Sequence, residues 1–385
     1  MYNGIKNIIK KNKRIFNLLM IFKLLSTASI KKLDGSIKKY PKVIQFPITY
    51  KCNSRCVMCN IWKMDHSNEM TLAEIKNYLK DPIFKEVSSV GINGGEPSLV
   101  KELPQIAEQV LNLPKIKSLN IISNGFNKDA LLVKVEKIYE LCRKKSVNFH
   151  LSFSLDGYGE VHDNVRGVKK AFERASKSID YVLENKSRYC DSIDIGCTIV
   201  RQNVNSLIEL DTYASRKNYP MKYRLGIENK RIGSDEIVSD YSVLCDTKSR
   251  QFAKEFIHSR FFKANEIMEK FKYFSLFYFL AEKNPKRLLG CMWQDEGITI
   301  DAKGNIYYCA VASKKIGSLR KQKGEAIFFN EKNIAYKKSI LENMCQNCIH
   351  DYSGKPYIGD VLIFLKHYIF ERIWCKIYRI KLIWL

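Results

Sequence analysis

An alternation of apolar, strand-like runs with helix-like stretches constrains the fold of this chain more than any other feature of its sequence. Between Val43 and Ile227 six short apolar runs alternate with longer stretches of helical periodicity. Such an alternation predicts a parallel sheet, because parallel neighbours need a crossover connection. The fold class that we expect is α/β, an open, partial (β/α)6 TIM-like barrel. The predicted strands are Val43–Thr49, Ser88–Asn93, Ser118–Ser123, Phe149–Leu155, Ile193–Val200 and Lys222–Ile227, and the predicted helices are Leu72–Lys80, Leu103–Leu113, Lys128–Lys145, Lys169–Glu184 and Ser206–Asn218.

Changes of composition along the chain predict five segments. Gly304 suits the tight turn of a hairpin over Gly297–Cys309, because such turns need positive φ. The hairpin gives the fold a small C-terminal α+β module. The segments are a basic amphipathic N-terminal extension (1–42), the barrel (43–230), a helical linker region (231–289), the α+β module (290–355) and a basic, aromatic amphipathic segment (356–385).

Basic residues outnumber acidic ones by 65 to 40, which gives a net charge of +25. Such an excess favours acidic partners such as nucleic acid, anionic lipid or phosphorylated substrates. A lysine-rich composition of the whole proteome explains the charge equally well. We recognise no dedicated nucleic-acid-binding segment, so RNA modification ranks last among the functions considered.

Both ends of the chain predict surface helices. The apolar run Ile15–Leu25 is interrupted by Asn17 and Lys23, which excludes a signal peptide core and a membrane span. Val361–Leu385 alternates apolar blocks with basic residues, and its Trp374 and Trp384 suit a membrane interface. One interpretation is a peripheral contact with the inner face of a membrane. The alternative is that both helices dock on the barrel.

Three cysteines lie in one short loop directly after the first predicted strand, in the sequence Cys52-Asn-Ser-Arg-Cys56-Val-Met-Cys59. Three thiolates at this spacing can ligate three irons of a 4Fe-4S cubane and leave the fourth iron without a protein ligand. The alternative is a zinc site with a distant fourth ligand. Either interpretation indicates a reducing compartment, and we expect a cytoplasmic protein.

The sequence Gly94-Gly95-Glu96-Pro97 ends the second predicted strand. Two glycines allow a backbone to approach a ligand closely, and Glu96 can accept a hydrogen bond from an ammonium group. Together with the cysteine loop, this motif resembles the radical S-adenosylmethionine (SAM) superfamily. The resemblance covers about residues 43–230 for the core and 290–350 for an appended module.

Further motifs resemble the same family in chain order. The resemblance implies that Asn124 ends the third strand near the cofactor, that Ser154 lies near the SAM ribose and that Val200 packs on adenine. It also implies that Arg166 meets the SAM carboxylate, with a surface arginine as the alternative. Met58 stands where the family usually has an aromatic residue, and its large apolar side chain can cover the same surface. Asp156, Tyr223, Arg224 and Glu228 are expected at the mouth of the barrel.

A second set of cysteines follows the barrel, and its spacing around Gly304 resembles the SPASM/twitch extension of the family. These residues are Cys291, Cys309, Cys345 and Cys348. Four cysteines suffice for one fully ligated 4Fe-4S cluster, so we expect a twitch-type module with one auxiliary cluster. A structural zinc site with four cysteine ligands would use the same residues.

The resemblance implies an enzyme that cleaves SAM reductively to a 5′-deoxyadenosyl radical, which then abstracts hydrogen from a substrate. It also implies an electron donor such as a flavodoxin or ferredoxin. A fully ligated auxiliary cluster suits an oxidoreductase, and family members with one such cluster include dehydrogenases of amino-sugar alcohols. The substrate that we expect is a carbohydrate or cell-envelope metabolite, sugar- or lipid-linked. The alternatives are a peptide-modifying maturase, disfavoured because Ala310 stands where the sulfatase-maturing branch has an aspartate, and a non-catalytic zinc-binding protein.

Overall fold

The computed structural model of the 385-residue chain describes residues 12–33, 39–283, 286–350, 354 and 356–383. For residues 13, 14, 29–33 and 371–383 it describes the backbone alone. The described part separates into two compact units. The barrel unit is formed by Ile37–Ala253 and Trp293–Cys345, and the helical unit by the described residues of Met1–Ser36, Lys254–Met292 and Gln346–Leu385.

One nine-stranded sheet forms the centre of the barrel unit, with the strand order β6-β5-β4-β3-β2-β1-β7-β8-β9. Strands β1 to β6 are parallel and adjacent in chain order, as the alternating sequence predicted, and β1 pairs on its other side with β7. The sheet stays open at β6, so the expected partial barrel is confirmed. The strands are β1 Val43–Pro47, β2 Ser89–Asn93, β3 Ser118–Ser123, β4 Asn148–Ser154, β5 Ser192–Ile199, β6 Met221–Leu225, β7 Gly297–Ile300, β8 Asn305–Tyr307 and β9 Gly317–Ser318.

The helices follow the strands at the positions that the sequence predicted, and shorter helices lie between them. Numbered in chain order, they are α1 Lys13–Leu33, α2 Leu72–Tyr78, α3 Leu103–Val110, α4 Lys128–Lys144, α5 Glu160–Arg166, α6 Ala171–Glu184, α7 Lys186–Tyr189, α8 Leu207–Arg216, α9 Val238–Tyr241, α10 Thr247–Lys263, α11 Ile267–Ala281, α12 Met292–Asp295, α13 Gly324–Phe328, α14 Glu331–Asn343 and α15 Ile358–Ile383.

The two faces of the parallel sheet differ in polarity. Crossovers between parallel neighbours are right-handed, so the connecting helices all lie on one face of the sheet. The residues of that face are apolar and buried, for example Ile44, Ile92 and Leu151. Direct strand partners point to the same face, which places a polar row on the opposite, inner face. This row consists of Thr299, Gln45, Gly91, Asn120, His150 and Ser192.

The predicted hairpin is present, and its first strand extends the barrel sheet. Strand β7 pairs in parallel with β1, with Gln45 opposite Thr299, and β8 and β9 follow it antiparallel. Ile298, Thr299 and Ile300 are buried. The α+β segment expected as a separate module therefore shares one continuous sheet with the barrel.

The helical unit contains α1, α11 and α15, and each of these helices contacts the other two. None of the helices in the described part of the chain is long and apolar enough to cross a membrane. Trp384, which the sequence placed at a membrane interface, lies outside the described residues, and only the backbone of Trp374 is described.

Candidate active site

The cysteine loop is tied to the carboxyl end of α5 by backbone hydrogen bonds. The amide of Arg55 donates to the carbonyl of Arg166 over 2.8 Å, and the amide of Val57 donates to the carbonyl of Val165 over 3.0 Å. The Ser54 hydroxyl donates to the same Arg166 carbonyl over 3.0 Å. These bonds hold the loop above the carboxyl ends of the strands, where parallel α/β folds build their sites.

The three thiols of this loop are half-buried neighbours. Burial raises the pKa of Cys52 to about 11, and burial together with the neighbouring Cys56 raises the pKa of Cys59 to about 12. In the described part of the chain, no three His, Cys, Asp or Glu side chains are grouped closely enough to hold a metal ion. The three thiols fit an iron–sulfur cluster by donor type and by their position in one loop, and iron binding there must displace thiol protons and draw the side chains together.

Gly94 and Gly95 bring the loop after β2 against the chain that leads into Cys52. A Cβ atom on Gly95 would lie 2.1 Å from the Lys51 carbonyl oxygen, and one on Gly94 would lie 2.4 Å from that of Thr49. The Gly95 amide donates to the Thr49 carbonyl over 2.7 Å. These two positions therefore require glycine because the loop after β2 packs closely against the protein's own backbone.

The carboxylate of Glu96 is bound by protein groups. It is 1% exposed, and it accepts hydrogen bonds from the Ser123 hydroxyl over 2.7 Å and from the Asn124 amide over 2.8 Å. The Asn124 side chain in turn donates to Asn53 Oδ1 of the cysteine loop over 2.7 Å. Glu96 and Asn124 therefore connect the ends of β2 and β3 with the cysteine loop. The sequence motifs identified Glu96 and Asn124, but they suggested that the Glu96 carboxylate accepts a hydrogen bond from an ammonium group. Pro97, the last residue of that motif, is buried at the start of a 3-10 turn.

An ion pair lies against the loop. Arg166 Nη2 is 2.6 Å from Asp156 Oδ2, and Arg166 Nη1 lies 3.5 Å from the Cys56 sulfur. Burial alone would lower the pKa of Arg166, but Asp156 and Cys56 raise it above its usual value. Burial also holds the pKa of His162 well below its usual value, so this imidazole is neutral and accepts from the Asp156 amide over 2.9 Å. Arg166 is therefore a largely enclosed, permanently charged group beside a cysteine, with 12% of its side chain exposed, and the interpretation as a surface arginine is wrong.

Two further residues implied by the resemblance lie at the ends of neighbouring strands. Ser154 is half-buried at the end of β4 on the inner face. Val200, directly after β5, is buried in an apolar cluster with Val165 and Tyr241, and Met58 of the cysteine loop packs on this cluster. Met58 and Val200 thus belong to one apolar surface.

Of the four side chains expected at the barrel mouth, one lies elsewhere. Tyr223 is buried on the helix-facing side of β6, where its hydroxyl donates to Asp211 over 2.9 Å. Asp156 follows the carboxyl end of β4, but it is buried and paired with Arg166. Arg224 and Glu228 are exposed, and Arg224 lies on the inner face of β6. Alternation along β6 puts Tyr223 and Arg224 on opposite faces.

A buried polar cluster below the cysteine loop was not anticipated. The Tyr307 hydroxyl donates to Asp301 Oδ2 over 2.9 Å, and burial and Asp301 raise the pKa of Tyr50. The Arg231 guanidinium lies near enough to lower the pKa of Cys59. Asp301 was visible in the hairpin sequence, but Arg231 follows the barrel without any local motif that could have identified it.

Two of the four later cysteines belong to the helical unit, where Arg287 organises their loops. The buried Arg287 guanidinium donates to the carbonyl of Cys348 over 2.8 Å and to that of Gly290, next to Cys291, over 3.0 Å. Gly290 also forms an isolated bridge with Gly354. One cation thus fixes the two chain segments that carry Cys291 and Cys348.

The other two later cysteines belong to the barrel unit. The Cys309 sulfur accepts from the Ala312 amide over 3.2 Å in the turn after β8, and Cys345 follows the carboxyl end of α14. Lys337 on α14 is buried, and its burial lowers its pKa, whereas the nearby Cys345 raises it. A buried ammonium group therefore accompanies Cys345.

Comparison with known proteins places both cysteine sets in matched domains. The model of the radical SAM superfamily matches residues 46–210, and the model of the SPASM domain, an iron–sulfur cluster-binding domain, matches residues 291–349. The GTP 3′,8-cyclase of Clostridium botulinum (strain Hall) is 24% identical over 326 residues, which is 79% of this chain and 92% of the relative.

Other relatives match a smaller share of their own length. The GTP 3′,8-cyclase of Clostridium botulinum (strain Okra) is 28% identical over 52% of this chain and 64% of the relative. The Fe-coproporphyrin III synthase of Methanosarcina barkeri is 29% identical over 46% of this chain and 43% of the relative. This chain thus spans less than two thirds of both proteins.

Solved structures show the same fold. The structure of anSMEcpe with bound AdoMet has a TM-score of 0.57 at 15% identity and covers 86% of this chain and 97% of its own. Streptococcus suis SuiB bound to S-adenosylmethionine has a TM-score of 0.54 at 18% identity and covers 78% of this chain and 68% of its own. The matched domains, the open parallel sheet and the cysteine loop lead to one conclusion. The chain belongs to the radical SAM superfamily and carries a SPASM-type iron–sulfur domain after its barrel.

Proposed function

We propose that this chain is an enzyme that cleaves SAM reductively at a 4Fe-4S cluster held by Cys52, Cys56 and Cys59. When bound, such a cluster with one iron free of protein ligands holds SAM and supplies the electron that breaks the S–C5′ bond, which gives a hydrogen-abstracting 5′-deoxyadenosyl radical. The observation that carries the proposal is the attachment of this half-buried thiol loop to the Arg166 segment and to Asn124.

The residues around the loop have distinct roles in this proposal. Arg166, paired with Asp156, holds its guanidinium group beside the Cys56 sulfur and so supports the loop from one side. The backbone of the Gly94–Pro97 turn and the Ser154 hydroxyl, both at the carboxyl edge of the sheet, are positioned to bind SAM polar groups. Val200 and Met58 supply an apolar surface for adenine.

We further propose that Cys291, Cys309, Cys345 and Cys348 hold one auxiliary 4Fe-4S cluster. When bound, a fully ligated cluster accepts single electrons and does not bind substrate. Arg287 and Lys337 place basic side chains near Cys348 and Cys345, respectively. A two-electron oxidation would then give one hydrogen atom of the substrate to the 5′-deoxyadenosyl radical, one electron to this centre and one proton to solvent.

Anaerobic reconstitution tests both sites. The chain is loaded with iron and sulfide, iron is counted, and 5′-deoxyadenosine is measured after reduction with dithionite. We expect about eight irons per chain for two clusters. Replacing Cys52, Cys56 and Cys59 by alanine should remove about half of the iron and all 5′-deoxyadenosine. Replacing Cys291 and Cys348 should remove about half of the iron and leave the dithionite-driven cleavage of SAM.

The matched control for the cysteine variants is Cys245→Ser, because Cys245 is an exposed cysteine outside both sets. It should leave iron content and SAM cleavage unchanged. Zinc in place of iron, with no SAM cleavage, would establish the non-catalytic zinc protein instead.

The inner face of the sheet favours a small hydroxyl-rich substrate. The oxygen atoms Gln45 Oε1, Asn93 Oδ1 and Thr299 Oγ1 are buried on three adjacent strands, and no group in the described residues bonds to them. An unsatisfied buried polar group costs about 1–3 kcal/mol, which hydroxyl or amino donors of a ligand, or ordered water, would offset. A carbohydrate or cell-envelope metabolite supplies such donors.

The charge and position of Arg224 support a substrate that carries a phosphate group. Arg224 is an exposed cation on the inner face of β6, beside Gly196, whose missing side chain leaves room for its guanidinium. Guanidinium groups bind phosphate through paired hydrogen bonds. A nucleotide-linked or lipid-linked sugar combines both features, and a nucleotide such as GTP, which the names of two relatives contain, is the second candidate.

Substrate-dependent formation of 5′-deoxyadenosine distinguishes these candidates. The reconstituted protein is reduced with a flavodoxin and offered UDP-N-acetylglucosamine, GTP or a short peptide in separate reactions. Stimulation by the nucleotide sugar, reduced at least about tenfold in Arg224→Gln through KM, would support the proposal. Stimulation by the peptide alone would favour the peptide maturase, and stimulation by GTP alone the nucleotide reaction.

A further inference from the structure

The first and last helices of the chain expose apolar stripes that nothing in the proposed chemistry uses. On α1 the exposed residues follow the helical spacing i, i+3, i+4 and i+7, namely Ile15, Leu18, Leu19 and Phe22. On α15 the exposed apolar residues are Leu362, Ile363, Ile369 and Phe370. We name the surface formed by these eight residues the outer helix face.

The opposite side of α1 is already packed. Leu24 and Ala28 are buried, and Asn17 forms hydrogen bonds with the carbonyl of Asn265 over 3.4 Å and the amide of Ile267 over 3.1 Å, at the start of α11. At 100° per residue these positions lie opposite the exposed stripe. The stripe is therefore not needed to attach α1 to the helical unit.

Helix α15 is arranged in the same way. Val361 and Phe364 are buried, and the Phe364 ring stacks on Phe271 of α11 with centroids 4.5 Å apart. Helices α1 and α15 contact each other, and each packs on α11 through the side opposite its stripe. The two stripes therefore lie side by side on the surface that faces away from α11.

The charge on these helices is almost entirely positive. The sequence of α1 contains five basic residues and no acidic one, and α15 contains five basic residues against two acidic ones. Lys23 and Lys366 are exposed next to and within the stripes. Long lysine side chains bury their methylene groups beside apolar surface and keep the ammonium group at the lipid headgroups. We propose that the outer helix face docks on a bilayer surface that contains anionic lipid.

This attachment is peripheral, because the apolar residues form stripes and not whole helices. Helices of this kind lie in the plane of the interface with their apolar face among the acyl chains. Basic residues near an anionic surface add electrostatic attraction, so charge and apolar burial act together. Such docking would bring the enzyme to the surface where a lipid-linked substrate resides, although docking itself does not depend on the proposed reaction.

Vesicle flotation of the full chain tests the proposal. The vesicles contain phosphatidylcholine alone or with roughly one third phosphatidylglycerol. We expect flotation with the anionic vesicles, suppression by high salt, and little flotation with the neutral ones. Phe22→Ser and Phe370→Ser should each weaken binding to anionic vesicles by about tenfold or more, since each removes a large apolar side chain from the interface.

Ile208→Ser is the matched control, because Ile208 on α8 is 73% exposed and Phe22 is 72% exposed. All three replaced side chains are already exposed, and circular dichroism melts should confirm that the variants fold. Absence of flotation, equal flotation with neutral vesicles, or an equal loss in Ile208→Ser would overturn the proposal. So would a dimer, detected by light scattering, that Phe22→Ser dissociates while vesicles stay unbound, since the face would then join two copies of the chain.

Discussion

At the scale of single residues, the ion pair of Asp156 and Arg166 offers the sharpest test of how the loop is supported. The side chain of Asp156 is 0% exposed and that of Arg166 is 12% exposed, hence loss of the carboxylate would leave a largely enclosed charge uncompensated. Breaking a buried pair in this way costs about 3–5 kcal/mol. We therefore expect Asp156→Asn to lower the free energy of unfolding of the metal-free chain by about 3 kcal/mol, measured by urea denaturation.

The control for Asp156→Asn is Glu136→Gln, which removes the half-buried partner of the exposed Arg188 at the protein surface. Exposed pairs contribute little, so this variant should unfold at the wild-type urea concentration. Equal stability of Asp156→Asn and the wild type would contradict the view that Arg166 needs this carboxylate.

Gly95 provides a second test at the residue scale. A methyl group there would lie 2.1 Å from the Lys51 carbonyl oxygen, so the cysteine loop would have to move. We expect Gly95→Ala to destabilise the chain by about 1–3 kcal/mol and to reduce iron uptake during reconstitution, measured as iron per chain.

Gly91→Ala is the matched variant in the preceding strand β2, because the nearest neighbour of its new methyl group, Asn120 Oδ1, would be 3.8 Å away. Replacing a glycine where the conformation permits alanine stabilises by about 0.4–1 kcal/mol. Similar iron loss in both variants would mean that the tight contact at Gly95 does not position the loop.

At the scale of elements, the start of α2 predicts a pH dependence of stability. Hydrogen bonds from Arg320 lower the pKa of Glu74 to about 2, and the Thr71 capping box adds to this effect. The ordinary pKa of this group is 4.5. Since the pKa is lower in the folded chain, Glu74 stabilises the fold above pH 4.5, and this stabilisation is lost as the pH falls from 4.5 towards 2.

Glu74→Gln should therefore be less stable than the wild type near neutral pH, with a difference that shrinks below pH 4.5. The measurement is the urea midpoint of both proteins across this range. Glu140→Gln, on the exposed side of α4, serves as the control for the replacement of a glutamate by glutamine on a helix. A stability difference for Glu74→Gln that grows in acid would mean that the folded chain does not favour the ionised carboxylate.

The elements that the sequence predicted are those whose signal is local. Ser118–Ser123 was predicted with both of its bounds, and the other five strands of the parallel sheet were within two residues at each end. Burial alternates with period two along β2, β3 and β6, which makes such strands visible in the sequence. The parallel pairing of β1 with β7 was not predicted. This pairing joins residues that are distant in the chain. No local sequence pattern predicts which edge of a sheet a later strand will extend.

The candidate site likewise contains residues that local motifs identified and residues that only folding brings together. The cysteine loop and the turn Gly94–Pro97 were identified from short motifs, and the structure brings both to one edge of the sheet. The part played by the Glu96 carboxylate was not predictable, because it depends on Ser123 and Asn124 from another strand. Arg231 was missed because only folding brings it near Cys59.

At the scale of the whole molecule, the shared sheet predicts how the chain responds to loss of iron. Strand β7 is buried and bonded to β1 by its backbone, so its order does not depend on a bound cluster. Backbone amides in a buried ladder exchange with solvent only when the ladder opens. We expect that chelation of all iron leaves amide protection of Gly297–Ile300 equal to that of β1, measured by hydrogen exchange and mass spectrometry.

The loops that carry the cysteines should respond differently. Cys309 and Cys345 lie outside the strands, so their segments lose ligand bonds without keeping a ladder, and their exchange should rise by an order of magnitude or more. The peptide covering α8 is the internal reference, since it carries no cysteine and should not change. Complete exchange of β7 after chelation, with β1 still protected, would show that β7 behaves as part of a separable metal-dependent module and that its pairing with β1 contributes little to the fold.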